Sequence, residues 1–358
     1  MTVLGRRTAI IGGVAIVATL LTWGLQVAGV SSVPVFVASA IALAMLAFLV
    51  GEATDQLGMR LGPGATGVLQ SALGNLPELF ISLFALQAGL AVVVQTALVG
   101  SILANSLLVL GLAFIFGGLR HGEQKFEASS ARMIAVLLLL ATSALSIPAL
   151  ATAPGAPDFG HGLDLSVIVS IVLLVVFVVS IPFSIGGGRG ASHEGIGVAE
   201  RWPMPLVLLV LAVAAGLAAL TSDWFVAALE PAMGALGISE EFVGLVVVAI
   251  AGNAVENVVG VQMAARNKPD LAISLILNSS LQVALALTPA LVLLGLFVGP
   301  TPLTLVLPPL LIGAVALSSL LGALITVDGK SSWLEGLALV GLYLIVAAST
   351  WWGPVAGS

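Results

Sequence analysis

Two glutamates stand in the same short pattern at two places in a chain that carries few charges. The first pattern is GNLPE, residues 74–78, and the second is GNAVE, residues 252–256. A shift of 178 residues superimposes Glu78 on Glu256 and also Ser101 on Ser279. A charge in the middle of an apolar segment costs about 2.5–3.5 kcal/mol on membrane-insertion scales, so such carboxylates are usually functional. The alternative is a glutamate that stays protonated and serves only as a structural hydrogen-bonding group.

Side chains with oxygen atoms accompany both glutamates at helical spacing. An asparagine precedes each glutamate by three residues, which places both side chains on one helix face. Carboxylate, amide and hydroxyl oxygens suit a hard cation such as calcium, and the chain has no cysteine for a soft metal. The alternative for the two serines is an ordinary hydrogen bond between helices. The predicted cation ligands are Glu78, Glu256, Asn75, Asn253, Ser101, Ser279, Asn105 and Gln282.

The same carboxylates are the only candidates for carrying protons, since no histidine lies in the apolar segments. A carboxylate does not easily hold a proton and a cation together, and that competition is the simplest form of antiport. Gly74 and Gly252 permit a close helix approach or a kink. Pro77 is expected to break its helix beside Glu78, because proline removes a backbone donor. A broken helix exposes carbonyl groups that could complete an ion site.

The segments that hold these residues indicate a polytopic membrane protein made of helices. The chain has 358 residues, of which 59% are hydrophobic and only 8% are charged. Apolar runs of about 20 residues are long enough to span a bilayer as helices, whereas a barrel needs short alternating strands. Eleven spans are predicted, at 8–29, 33–57, 63–88, 93–117, 129–149, 163–184, 203–222, 237–265, 269–297, 303–325 and 332–352.

The basic residues predict the orientation of these spans. All 11 lysines and arginines fall on the side of the N-terminus when eleven spans are drawn. The positive-inside rule then places the N-terminus in the cytoplasm and the C-terminus outside, with the inner membrane of the cell as the expected location. Membrane lipid is an expected partner, and the absence of a basic stripe argues against nucleic acid. The sequence leaves open whether the chain forms a homo-oligomer.

The 178-residue shift also predicts an internal repeat. It places span 2 on span 7 and span 3 on span 8, so each half holds five spans. Five is an odd number, and the halves would therefore enter the membrane with opposite orientation, as in many secondary transporters. The predicted division is an extra first helix at 1–30, a first repeat at 31–185, a cytoplasmic linker at 186–202 and a second repeat at 203–358.

These stretches resemble the calcium/proton exchangers of the calcium/cation antiporter superfamily. The resemblance rests on GNLPELFISLFAL with VGSILANSLLVLG in the first half, and on GISEEFVGLVVVAIAGNAVENVVGVQMAARNKPDLAISLILNSSLQVALALTP in the second. GEATDQLGMRLG and DGKSSWLEGLALVGLYLIVA are also similar to that family, so the resemblance covers about residues 40 to 352.

The resemblance implies alternating access around a site at the middle of the membrane, where the two repeat glutamates bind calcium. It implies that spans 2 and 7 move, and that calcium is a transported substrate without any resident cofactor. Glu52 and Asp55 match acids near the cytoplasmic mouth and Glu230 matches one near the outer mouth; the alternative for them is a solvated helix end.

The chain departs from the family at several positions. It has Asn257 where a histidine often follows the second glutamate, Asn278 where a glycine is frequent, and Met233 where a second acid is found. These departures leave open an exchanger that is coupled to sodium or potassium, or one that prefers manganese. A passive channel is a further alternative. An enzyme is not expected, because no GxSxG, HExxH or pair of intramembrane aspartates is present.

Overall fold

The computed structural model describes residues 5–61, 73–187 and 202–352, which are nearly all helical. The helices are α1 (Gly5–Val27), α2 (Ser32–Leu61), α3 (Leu76–Gln87), α4 (Ala91–His121), α5 (Ala128–Ala151), α6 (Gly162–Gly187), α7 (Met204–Leu236), α8 (Glu240–Gly252), α9 (Ala254–Ala265), α10 (Pro269–Leu294), α11 (Pro309–Ile325) and α12 (Trp333–Thr350). Most of the predicted linker and the first part of the span predicted at 63–88 lie outside the described residues.

Many of these helices have the length and composition of membrane spans. Within the described ranges, eight helices are long and apolar enough to cross a bilayer, or nine if the bent pair α8–α9 counts as one span. Helices α3 and α11 are shorter and also apolar. Large apolar side chains cover the outward faces, as Ile168, Val175 and Val179 do on α6. The expected helical membrane protein is therefore confirmed, while the number of eleven spans stays a prediction.

Two predicted boundaries were wrong. The span expected at 203–222 continues as α7 to Leu236, because Phe225, Leu229 and Met233 form an apolar face that stays buried. Gly237 ends this helix with a φ of 64°, a left-handed conformation that glycine adopts readily. Residues 302–308 are not helical, although a span was predicted from 303, and α11 begins only after Pro308.

One small sheet was not anticipated by an all-helical prediction. Strand β1 (Gln124–Lys125) pairs in antiparallel register with β2 (Lys330–Ser331), with Gln124 opposite Ser331. An ion pair of 3.1 Å between Lys330 and Glu123 adds to this contact. The sheet ties the connection after α4 to the connection before α12.

Helices α3 and α9 begin at matching breaks. The residue before α3 is Asn75 (φ −92°, ψ 13°), and the residue before α9 is Asn253 (φ −103°, ψ 27°). Both helices have 12 residues, and the predicted break beside Glu78 is present, with Pro77 in the first turn of α3. Helices α8 and α9 meet at an angle of 65°.

Widened helical turns also recur in the two halves. Helix α4 has a π-helical segment at Ala104–Val109, and α10 has one at Val283–Leu287. After the 178-residue shift, the two segments begin within one residue of each other and end at the same position. Segments of this kind are frequent at functional sites.

Close helix crossings bring the two patterns together. A β-carbon on Gly100 of α4 would lie only 2.6 Å from the Cα of Leu245 on α8, so these two backbones are in direct contact. A second contact joins α2 and α7, which pack along each other, and there the rings of Phe36 and Phe225 stack with centroids 5.1 Å apart. The backbone amide of Trp202, just before α7, donates to Gln56 of α2 at 3.2 Å.

Candidate ion site

A chain of hydrogen bonds connects the two patterns in the middle of the protein. Ser101 Oγ donates to Glu78 Oε1, and Asn253 Nδ2 donates to Ser101 Oγ at 3.0 Å. Asn105 Nδ2 lies 3.3 Å from Asn253 Oδ1 and 3.0 Å from Ser279 Oγ, and can donate to both. All five side chains are buried. The structure thus brings together five of the eight predicted ligands, drawn from α3, α4, α10 and the α8–α9 break.

The break at Asn253 places this side chain between the two halves. Its Nδ2 also donates to the carbonyl of Ala249 at 2.9 Å, which fixes the amide against the end of α8. The residue before it, Gly252, lets α3 approach: a β-carbon on Gly252 would lie 3.3 Å from Cβ of Glu78. A larger residue at this position would therefore push Glu78 away from the break.

Several buried polar atoms at this site have no hydrogen-bond partner among the described residues. They are Glu78 Oε2, Asn105 Oδ1 and Asn75 Nδ2. Buried polar atoms in folded proteins are nearly always paired, so each of these calls for an explanation. The two oxygens are free acceptors, which is the property that a cation ligand needs.

The second carboxylate has a different environment from the first. Glu256 lies on α9 and is half-buried, and in the described part of the chain its side chain has no hydrogen-bond donor from another residue. Its charge interacts with that of Glu78 and with that of Asp55 on α2. The two predicted glutamates are therefore neighbours, but only Glu78 is bound to its serine.

The remaining predicted ligands are less well connected. Asn75 is buried at the start of α3 without a hydrogen bond from its Nδ2. Gln282 on α10 is half-buried, and the described residues give it no hydrogen bond to the network. Ser279 is contacted instead by Asn105, from the other half of the chain. The sequence identified Asn105 as an oxygen ligand but gave no sign that its amide would bridge the halves.

Sequence reasoning did not assign a role to Asn257 on α9. Its Nδ2 donates to the carbonyl of Ile250 on α8 at 3.2 Å, across the break, and its Oδ1 is buried without a described partner. The signals in the sequence were its position directly after Glu256 and its departure from the histidine that the family often has there.

The three predicted pathway acids lie on the long helices α2 and α7. Glu52 and Asp55 are half-buried on α2, where the charge of Glu52 interacts with Asp55 and with Arg7 of α1. Glu230 is exposed on α7 and its charge interacts with Glu240 at the start of α8.

The described residues contain no group of three or more histidine, cysteine, aspartate or glutamate side chains able to hold a metal ion. A cation at the network would therefore depend on amide and hydroxyl oxygens in addition to the two carboxylates. Such a mixed oxygen set is compatible with calcium and unsuitable for a thiolate-bound metal.

Comparison with known proteins shows the family to which this chain belongs. The sequence matches the family described as sodium/calcium exchanger protein over residues 31–186 and 206–352. The chain belongs to this family. It is 35% identical over 347 residues to the Ca(2+)/H(+) antiporter of Aphanothece halophytica, with 90% of this chain and 91% of the relative covered. It is 34% identical over 328 residues to the Ca(2+)/H(+) antiporter ChaA of Bacillus subtilis, with 88% and 91% covered.

A solved structure extends the likeness from sequence to fold. The structure described as native YfkE superimposes with a TM-score of 0.82 at 31% sequence identity, covering 95% of this chain and 99% of that one. With its apolar helices and these relatives, this member of the exchanger family is an integral membrane protein.

Proposed function

We propose that this protein exchanges calcium for protons across the membrane, and that Glu78 and Glu256 alternately bind the cation and the protons. The observation that carries the proposal is the buried chain of hydrogen bonds from Glu78 through Ser101 and Asn253, which links the two copies of the pattern. The relatives named as calcium/proton antiporters support the same choice of ions.

The two states of the site differ in what the carboxylates hold. With both carboxylates ionised, Glu78 Oε2, Asn105 Oδ1 and the oxygens of Glu256 are acceptors without a donor from another described residue. Calcium takes six to eight oxygen ligands, so it would also draw on Asn75, Gln282, water or carbonyls freed at the breaks. Protonation of the carboxylates removes their negative charge and with it most of the attraction for the cation.

The proposed architecture has eleven spans in two inverted five-helix repeats behind an extra first helix. The equal lengths of α3 and α9, their matching asparagines and the corresponding π-helical turns in α4 and α10 support the repeat. The family match in two separate ranges agrees with two halves. The N-terminus is proposed to be cytoplasmic in the cell inner membrane, with the C-terminus outside.

Alternating access in this arrangement would use α2 and α7 as the moving helices. They pack along each other, and Gln56 and Arg60 of α2 are hydrogen-bonded to Trp202 at the start of α7. Glu52 and Asp55 would then lie at the cytoplasmic mouth and Glu230 at the outer mouth, where each attracts cations to one face.

Calcium-driven proton flux in reconstituted vesicles tests this function. A calcium gradient imposed in sodium-free buffer should drive protons in the opposite direction, and a panel of manganese, sodium and potassium should be less effective. A requirement for sodium or potassium would favour the alternative exchanger of the same family. Calcium movement without any proton movement would favour a passive channel.

A further inference from the structure

The two helix breaks at the proposed site lie at equivalent positions but differ in the residues around them. In the first half, Pro77 follows the break at Asn75 by two residues. The equivalent residue in the second half is Val255, which can donate a backbone hydrogen bond and continue a helix. The 65° bend between α8 and α9 therefore needs another cause.

The side chain of Asn257 makes a hydrogen bond across this bend. In a continuous helix the carbonyl of Ile250 would accept from the backbone amide of Ala254. In the structure the helix ends at Gly252, Asn253 is not helical, and Asn257 Nδ2 donates to the Ile250 carbonyl at 3.2 Å. A carbonyl beside the break is thus bound by a side chain one turn into the next helix.

The first half has a proline at its break and no equivalent amide. The residue equivalent to Asn257 is Leu79, which has no polar group to reach back across the break. Pro77 cannot donate to the carbonyl four residues earlier, and its ring would clash with that carbonyl in a straight helix. In the first half, the ring of Pro77 sterically excludes a continuous helix. In the second half, the side chain of Asn257 takes the place of a backbone hydrogen bond of the continuous helix.

We propose that Asn257 is a positioning residue that holds the α8–α9 break open and thereby sets Glu256 beside Glu78. Asn257 does not need to touch the transported ion for this role. The side-chain amide of Asn257 competes with the backbone amide of Ala254 for the carbonyl of Ile250. When the side chain binds this carbonyl, the helix changes direction before Glu256. The consequence for transport rests on the proposed function, whereas the consequence for the bend does not.

The bend can be measured directly because the chain has no cysteine. Spin labels on E241C, in the first turn of α8, and R266C, directly after α9, would be about 38 Å apart in a straight helix and about 32 Å apart with the observed bend, at a rise of 1.5 Å per residue. The purified full-length protein in lipid is used without added ions.

Asn257→Leu introduces the first-half residue and should lengthen this distance by about 6 Å toward the straight value. Adding Val255→Pro, the other first-half residue, should restore the shorter distance. Asn278→Leu is the matched control, because Asn278 bonds to Ser274 at 3.2 Å within its own helix and not across a break. It should leave the distance unchanged. If Asn257→Leu does not purify, Asn257→Ala removes the same amide and should lengthen the distance in the same way.

The proposal is overturned if the variant that lacks the amide keeps the bent distance. It is also overturned if the distance lengthens and Val255→Pro fails to shorten it. In the transport assay, Asn257→Leu should lower the apparent calcium affinity by about tenfold, as loss of a residue that positions a metal ligand typically does, and Val255→Pro should recover it. Wild-type protein without calcium-driven proton flux would overturn the proposed function and leave the distance result standing.

Discussion

Asn253 donates a hydrogen bond of 3.0 Å to Ser101, although the two residues belong to different halves of the chain. Ser101 in turn donates to Glu78, so the asparagine of the second pattern is connected to the glutamate of the first. A movement of either half would therefore change the hydrogen bonds of the Glu78 carboxylate. Under the proposed function, this connection would couple the occupancy of the site to the position of the helices.

The first prediction concerns pH. Calcium affinity should fall as the pH is lowered, because protons and calcium compete for the carboxylates of Glu78 and Glu256. Calcium binding to purified protein, measured by titration calorimetry at several values from mildly alkaline to acidic, gives the dependence. An affinity that is constant over this range would contradict direct competition.

The second prediction concerns the serine that binds Glu78. Ser101→Ala leaves the Glu78 carboxylate without its described hydrogen bond and should destabilise the protein by about 1–3 kcal/mol, the usual effect of an unpaired buried polar group. Apparent calcium affinity should fall as well. Thermal unfolding and calcium titration of the purified variant measure the two effects.

Ser82→Ala is the control for this variant. Ser82 is buried on α3 one turn after Glu78, and its hydroxyl has no hydrogen-bond partner among the described residues. Ser82→Ala should change the stability and the apparent calcium affinity much less than Ser101→Ala does. Equal effects of the two substitutions would show that the bond from Ser101 to Glu78 has no special role.

The third prediction concerns the flanking acids. If Glu52 and Glu230 lie at opposite mouths, Glu52→Gln should alter apparent calcium affinity mainly from the cytoplasmic face and Glu230→Gln mainly from the outer face. Transport measured in vesicles of known orientation, with calcium added to one side at a time, separates the two. Equal effects from both sides would indicate that Glu52 and Glu230 are only solvated helix ends.

The fourth prediction concerns topology. Single cysteines at Glu123 and Asp158 lie in the connections at the two ends of α5, and a membrane-impermeant thiol reagent should reach Asp158→Cys from outside and Glu123→Cys only from the cytoplasm. A reporter at the C-terminus should also be outside. Labelling of both cysteines from one face would contradict the proposed orientation.

The sequence was informative where the chemistry depends on residue type and spacing. The two glutamates, their serines and the break beside Pro77 follow from polar residues in apolar segments, since few other residues interrupt those segments. The sequence was less informative where tertiary packing decides. The polar residues at 221–223 predict the end of the span, whereas α7 continues past Asp223 because Phe225 and Leu229 are buried against other elements.

The bridging roles of two asparagines could not be read from the sequence either. Asn105 has Val283 as its equivalent in the second half, and Asn257 has Leu79 in the first, so the repeat itself gave no parallel. Their partners are distant in sequence or lie across a helix break. Such contacts depend on how helices cross, which residue spacing along one helix does not specify.

The central claim is that Glu78 and Glu256 form one shared site for calcium and protons. Glu78→Gln and Glu256→Gln keep the side-chain volume but remove the titratable charge, and calcium-driven proton flux is measured for each variant in reconstituted vesicles beside the wild type. We expect both variants to insert and purify normally and neither to support coupled flux, because calcium needs a carboxylate from each half. Coupled flux that persists in either single variant would contradict the two-glutamate mechanism.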